Sequence, residues 1–318
     1  MNLENKMKVT VIGAGNVGAT VAQILANKEL ANDIYMVDID EGIAKGKALD
    51  MYESMPILQS DARIHGTNDY AETAGSHIVI MTAGLARKPG MSRDDLLVKN
   101  AAIVSSCVSQ AVKYSPDAYF IVVSNPLDVM TYVTLQVTGL PKHKVIGMAG
   151  ILDTARYRSF ISMATGYSMR DIQALLLGGH GDTMVPLPRY TTVAGIPVTE
   201  LLSKEKIDEI VNRAINGGIE IVNFLKTGSA YYAPGTAAVE MAEAIIKDQK
   251  RILPCTVLLD GEYGIGDVCV GVPIKIGKDG IEEIIQLKLT SDEQAMFTKS
   301  AEHVKATIKQ AMELISNQ

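Results

Sequence analysis

Apolar positions fall into two rhythms along the chain, short unbroken runs first and more mixed stripes and segments later. Residues 9–12, 34–37, 78–81, 119–123 and 144–148 form apolar runs of the length expected for strands covered on both faces, as in a parallel sheet. Helix-type segments separate several of them. One carries Val17, Val21, Ile24 and Leu25 on a single face, and others span residues 41–53 and 96–112. Strands alternating with helices predict a parallel sheet with helices on both faces over residues 1–149. The rhythm changes near residue 150. A helix is expected over 152–165, then short β-type segments over 172–177, 190–193 and 196–198. Apolar residues recur at 207, 210, 211, 214, 215, 219, 222 and 225, a helical stripe. Strand-like segments return over 256–260, 268–273 and 280–285. Ser291 and Gln294, in capping-box spacing, open a closing helix with Phe297, Ala301, Val304, Ile308, Ala311 and Ile315 on one face. Residues 150–318 are therefore expected to form a second, mixed α/β domain with antiparallel strands.

The junction after the first run carries chemistry. Residues 9–12 lead directly into G-x-G-x-x-G at Gly13, Gly15 and Gly18. That motif needs glycine for a tight turn, for close backbone approach to a pyrophosphate and for helix–strand packing, and the following helix N-terminus offers free N–H groups to the anion. The second run ends in Asp38, 20 residues beyond Gly18. A carboxylate there accepts from the ribose hydroxyls of NAD and repels the extra phosphate of NADP. Glycine turn, helix and acid together predict a Rossmann-type dinucleotide-binding domain that takes NAD.

Composition narrows the class. The 318 residues are 47% hydrophobic and 21% charged, as in a soluble globular protein of two ordinary domains. A formal charge of −6 gives no basic footprint for nucleic acid, so an anionic substrate must be drawn by local arginines. Cys107, Cys255 and Cys269 lack metal-ligand spacing and read as reduced thiols. Residues 1–8 carry no apolar signal core and no stretch approaches membrane-spanning length, so the expected compartment is the cytoplasm.

Four further places suit a reaction centre. The loop over residues 82–95 follows a strand end and holds Arg87, Lys88 and Arg93 among Gly84, Pro89 and Gly90, as a hinged anion-binding lid would. Solvated surface charge is the ordinary alternative. Asn125 stands before Pro126 at another strand end, where an Asn is also a common turn residue. Asp153 and Arg156 share one helix face, either as a structural ion pair or with Arg156 forked onto a substrate carboxylate and Asp153 facing a histidine. His180 sits between Gly179 and Gly181, which leaves an imidazole on an open backbone and suits proton exchange near neutrality. With no partner ligand set, a metal site is not expected there.

As a set these motifs resemble those of the lactate/malate dehydrogenases. The match runs through GAGNVG, the Asp38 strand end, AGLARKPGMSRDDLL, SNPLDVMTY, LDTARYR and GGHGDTMVP, and covers essentially the whole chain. The resemblance implies a dinucleotide-binding domain over 1–149, a substrate domain over 150–318, and a homo-oligomer, dimer or tetramer. It implies that Gly13, Gly15, Asn16, Val17, Gly18 and Asp38 hold NAD, and that Asn125 touches substrate and nicotinamide. His180 is implied as proton acceptor and donor, oriented by Asp153, with Arg156 on the carboxylate beside the reacting carbon and Arg93 polarising the carbonyl. One loop position separates the family's substrates, usually Gln in lactate and Arg in malate enzymes; here it is Arg87. Ala230, where lactate enzymes typically place Thr, points the same way. The chain thus looks most like the bacterial malate dehydrogenases built on the lactate dehydrogenase plan, with malate or oxaloacetate as substrate. The alternatives carried alongside are a dehydrogenase for lactate or another 2-hydroxy acid, and a nucleotide-sensing protein without catalysis.

Overall fold

Runs such as Val9, Val11 and Ile12, almost wholly removed from water, lie in a sheet with cover on both sides. Each such side chain contributes about 1.5–3 kcal/mol on burial. The computed structural model describes residues 6–85 and 93–316, apart from the side chains of 93–95 and 316. The first half alternates strand and helix: β1 (Lys8–Ile12), α1 (Asn16–Asn27), β2 (Asp33–Val37), α2 (Glu41–Leu58), β3 (Arg63–Thr67), β4 (Ile78–Met81), α3 (Arg93–Tyr114), β5 (Tyr119–Val122), α4 (Leu127–Thr138) and β6 (Val145–Gly147). These six strands pair in parallel in the order β3-β2-β1-β4-β5-β6. Since β1 lies between β2 and β4, the chain changes direction across the sheet beside the β1–α1 turn. Ligands of such sheets bind at that crevice, outside the carboxyl ends of the strands.

The second half opens with α5 (Ala149–Thr165), then β7 (Ile172–Gln173), β8 (Leu176–Leu177), β9 (Val185–Pro186), β10 (Thr192–Val193), β11 (Ile196–Pro197) and α6 (Val198–Leu201). Two long helices follow, α7 (Lys204–Leu225) and α8 (Tyr232–Ile246), then β12 (Arg251–Asp260), β13 (Gly266–Gly277), β14 (Gly280–Ile284) and α9 (Ser291–Ser316). The last three strands form an antiparallel meander, and β12 joins β6 antiparallel at Thr256 and Gly147. One nine-stranded sheet therefore runs through both halves of the chain. Helices α1 and α8 interlock where Gly235 seats against Thr20, a Cβ there standing 2.8 Å from Cγ2 of Thr20.

Several expectations shift. The segment 172–177 is two strands in different sheets, because β7 pairs with β10 while β8 pairs with β9. The stripe on α7 is buried at Ile207, Ile210 and Ala214, but Ile219, Val222 and Leu225 are exposed. The capping box of α9 sits one residue earlier than Ser291 and Gln294. Thr290 Oγ1 accepts the N–H of Glu293 at 3.2 Å and the Glu293 carboxylate accepts the N–H of Thr290 at 2.8 Å, so Thr290 closes both bonds reciprocally.

Candidate active site

The three glycines of the first turn do three different things. Gly13 has φ +100°, and a Cβ on it would lie 2.8 Å from the backbone N of Ala83, so β1 can approach the loop after β4 only with glycine there. A Cβ on Gly18 would stand 1.8 Å from the carbonyl O of Gly13, which is the close helix–strand contact. A Cβ on Gly15 would meet nothing within 4 Å; the space above it is open. Gly15 is the N-cap of α1, has no side chain to accept from the first-turn N–H groups, and no acid follows in that turn. Asn16, exposed, and Val17, half-buried, begin the helix, so their backbone and that of Gly18 present the positive end of α1 to this space. Asp38 borders it. Its Oδ2 accepts the N–H of Ala14 at 2.7 Å and its Oδ1 that of Asp40 at 3.0 Å.

The loop after β4 is tied to the loop after β5 by a residue the motifs do not mark. Asn100, buried in α3, accepts the N–H of Leu85 at 2.7 Å and donates to the carbonyl of Asn125 at 2.7 Å. Asn125 is exposed at the strand end, joined to Pro126 by a cis peptide. Arg87 lies outside the described residues, and Arg93 begins α3 with its side chain outside the description.

The remaining predicted residues meet. Asp153, buried in α5, accepts from Nδ1 of His180 at 2.8 Å through Oδ2 and from Nη1 of Arg156 at 3.3 Å through Oδ1. A carboxylate accepts only, so Nδ1 of His180 carries the proton and Nε2 keeps its lone pair when the ring is neutral. Nε of Arg156 is buried without a protein partner, so the guanidinium has donors left for an anion.

The glycines beside His180 serve packing more than openness. A Cβ on Gly178 would stand 2.8 Å from Oγ of Ser300, and one on Gly179 would stand 2.7 Å from Cγ2 of Val304. Both press against α9, and only Gly181 has open space around it. The main chain here is held hard. Gly178 and Gly271 exchange N–H···O bonds of 2.9 and 3.1 Å, Gly179 donates to Oγ of Ser300 at 2.8 Å, and the N–H of His180 donates to Oδ2 of Asp128 at 2.8 Å. Asp128, in the first turn of α4, was not marked by the motif reading, although it lies only three residues beyond Asn125 in the same segment.

Burial opposes charge on His180, but the charge and hydrogen bond of Asp153, with the charge of Asp128, outweigh it; the imidazole pKa lies above its ordinary value. Burial lowers the pKa of Arg156, partly offset by Asp153, and leaves it a cation at neutral pH. Burial raises the pKa of Asp128 against the donors that hold it.

Known proteins share this architecture. A family model described as the lactate/malate dehydrogenase NAD binding domain matches residues 7–147, and one described as the lactate/malate dehydrogenase alpha/beta C-terminal domain matches residues 151–315. Over 295 residues the chain is 60% identical to the malate dehydrogenase of Chlorobium limicola, covering 93% of this chain and 95% of that one. It superposes on the solved malate dehydrogenase from Salinibacter ruber with a TM-score of 0.94 at 55% identity, covering 98% of this chain and 99% of the other. The likeness extends to a lactate dehydrogenase from Cryptosporidium parvum solved with lactic acid and nicotinamide adenine dinucleotide, with TM-score 0.93, 42% identity, and coverage of 97% and 99%. With both halves matched in order and nearly end to end, the chain belongs to the lactate/malate dehydrogenase family.

Proposed function

We propose that the protein is an NAD-dependent malate dehydrogenase, interconverting (S)-malate and oxaloacetate. The observation that carries this reading is the single buried carboxylate of Asp153 holding His180 and Arg156 at once. It orients a proton carrier and a carboxylate clamp relative to each other, as oxidation of a 2-hydroxy acid requires. Relatives named malate dehydrogenase at 60% and 58% identity support malate as the substrate.

The glycine turn fits NAD. An uncapped helix N-terminus under open space suits a pyrophosphate, and Asp38 at the strand end suits a ribose diol. Gly13, Gly15, Asn16, Val17, Gly18 and Asp38 would hold it, with Asn125 near the nicotinamide. Bound there, NAD supplies the hydride acceptor. His180 takes the hydroxyl proton of malate on Nε2, and Asp153 stabilises the imidazolium that results. Arg156 forks onto the carboxylate next to the reacting carbon. Arg93 stabilises charge on the ketone oxygen in the reverse direction, and Arg87 pairs with the second carboxylate. An arginine left without an anion against the methyl group of pyruvate would be costly, so having Arg87 at this position favours the dicarboxylate.

The reading includes a division at residues 149 and 150 into a cofactor domain and a substrate domain, a homo-oligomer, and a cytoplasmic setting that suits three unpaired thiols. NADH consumption with oxaloacetate and pyruvate side by side tests it, and NADPH should serve poorly. Preference for pyruvate would replace malate with lactate as substrate. No turnover with either would leave a nucleotide-binding protein. Arg87→Gln should lower the preference for oxaloacetate by orders of magnitude, for the loss of a charge-assisted pair worth about 2–5 kcal/mol.

A further inference from the structure

Asp128 is a carboxylate where a neutral acceptor would satisfy the same hydrogen bonds. It is buried, its Oδ2 takes the main-chain N–H of His180 at 2.8 Å, and its Oδ1 takes the hydroxyl of Thr256 at 2.7 Å. A Cβ on Gly179 would lie only 3.4 Å from Oδ2, so the segment carrying His180 presses directly on this group. Thr256 is also the residue through which β12 meets β6. Burying a charge is expensive unless donors and an opposite charge answer it. The donors are present, and the first turn of α4 adds its dipole.

Asp128 bonds the main chain of His180 and not its ring, so the protonated imidazole answers the buried charge through space. The charges that act on the His180 imidazole come from Asp153 and Arg156 on α5 and from Asp128 on α4. Arg156 is already tied to Asp153. From β13, Cys269 faces Asp128 as a thiol whose pKa burial pushes well up, so it is neutral. The elements β12 and α9 bring hydroxyls, those of Thr256 and Ser300.

We propose that Asp128 is a positioning residue for His180: it fixes the main chain of the histidine and, together with Asp153, sets how tightly the imidazole holds its proton. The role rests on His180 being the proton carrier of the proposed reaction. It places the Asn125–Asp128 segment at both sites, with Asn125 at the cofactor end and Asp128 behind the histidine.

Asp128→Asn keeps the shape and an acceptor for the N–H but removes the charge. In the full chain, the His180 ring titration followed by NMR should then show proton affinity lower by about three- to tenfold. The acid limb of kcat/KM for malate in the NAD-loaded enzyme should move to lower pH by the same amount, because oxidation needs the neutral ring. A folded variant with an unmoved His180 midpoint would overturn the proposal, since a purely structural acceptor leaves both readings in place. If the variant does not fold, the wild-type side-chain carboxyl carbon of Asp128 decides the matter. It should stay ionised and respond to the His180 titration between about pH 5 and 8. A protonated or unresponsive carboxyl would overturn the role. The NMR readings do not need turnover, so a fully active His180→Asn would remove the proposed reaction and leave the coupling measurable.

Discussion

The glycine turn and the His180 centre are built by opposite means. At the turn, five residues contribute through backbone beside one acid, with Gly13, Gly15, Gly18 and the N–H groups of α1 close together in sequence. At His180 the site is made by side chains that meet from afar: Asp128 reaches across 52 residues, Asp153 across 27, and Ser300 holds Gly179 across 121. A backbone site depends on what cannot be added to it. A side-chain site depends on what cannot be taken away.

Deletion at the second site should therefore give the largest effect. His180→Asn removes the proposed proton carrier, and general acid–base catalysis contributes about 10²–10⁴-fold. The expected result is a fall of that size in kcat with NADH affinity kept, read by steady-state kinetics and fluorescence titration. Asp153→Asn should fall nearly as far and also raise KM, because the same carboxylate orients Arg156.

Addition should be the damaging change at the turn, unequally among its glycines. A methyl on Gly18 overlaps the carbonyl of Gly13, so Gly18→Ala should cost at least about 1–3 kcal/mol in urea unfolding. Gly15 has φ −67° and open space over it, so Gly15→Ala should lose no more than about 1 kcal/mol of stability. It should nevertheless weaken NADH binding, because the new methyl enters the open space proposed for the pyrophosphate. Equal stability losses at the two positions would break the contrast.

This difference also governs what could be read from the sequence. Strand runs, the glycine turn and Asp38 were legible because their geometry is local. His180, Asp153 and Arg156 stood out by residue type and by their motifs, but Asp128 and Asn100 did not, since a buried Asp or Asn on a helix has no local signature. Helix α4 escaped the apolar reading because Val129, Thr131, Val133, Thr134 and Val137 are β-branched and lower helix propensity; burial of most of them decides the matter instead. Strand β3 escaped because only Ile64 and Thr67 are buried in an edge strand otherwise polar. On α7, periodicity reported a helix correctly but could not say how much of its apolar face the rest of the chain covers.

The two sites should also differ in their response to pH. The folded chain binds the His180 proton more tightly than the unfolded chain, since its pKa is raised. That stabilisation is complete below the unfolded value of about 6.5 and is lost as pH rises through the higher folded value. Urea unfolding of wild type and His180→Asn across this window should show the wild-type advantage shrinking as pH rises. Gly15→Ala should follow wild type at every pH, as no titrating group is touched.

The smallest effect separates local from long-range control within one helix. Thr290 and Glu293 cap α9, and Glu293 also receives Arg189 at 2.7 Å, fastening the helix start to the segment before β10. Thr290→Ala removes the hydroxyl acceptor and should cost about 1 kcal/mol, the ordinary value of an N-cap. Ser291→Ala should cost much less, because Ser291 already lies inside the first turn. Since Ser300 and Val304 on this helix press on the glycines before His180, loosening its start also tests how far a cap is felt. Fraying confined to the first turn should leave kcat unchanged in Thr290→Ala, whereas a fall in kcat would show that the histidine is positioned from the end of α9 as well as from its middle.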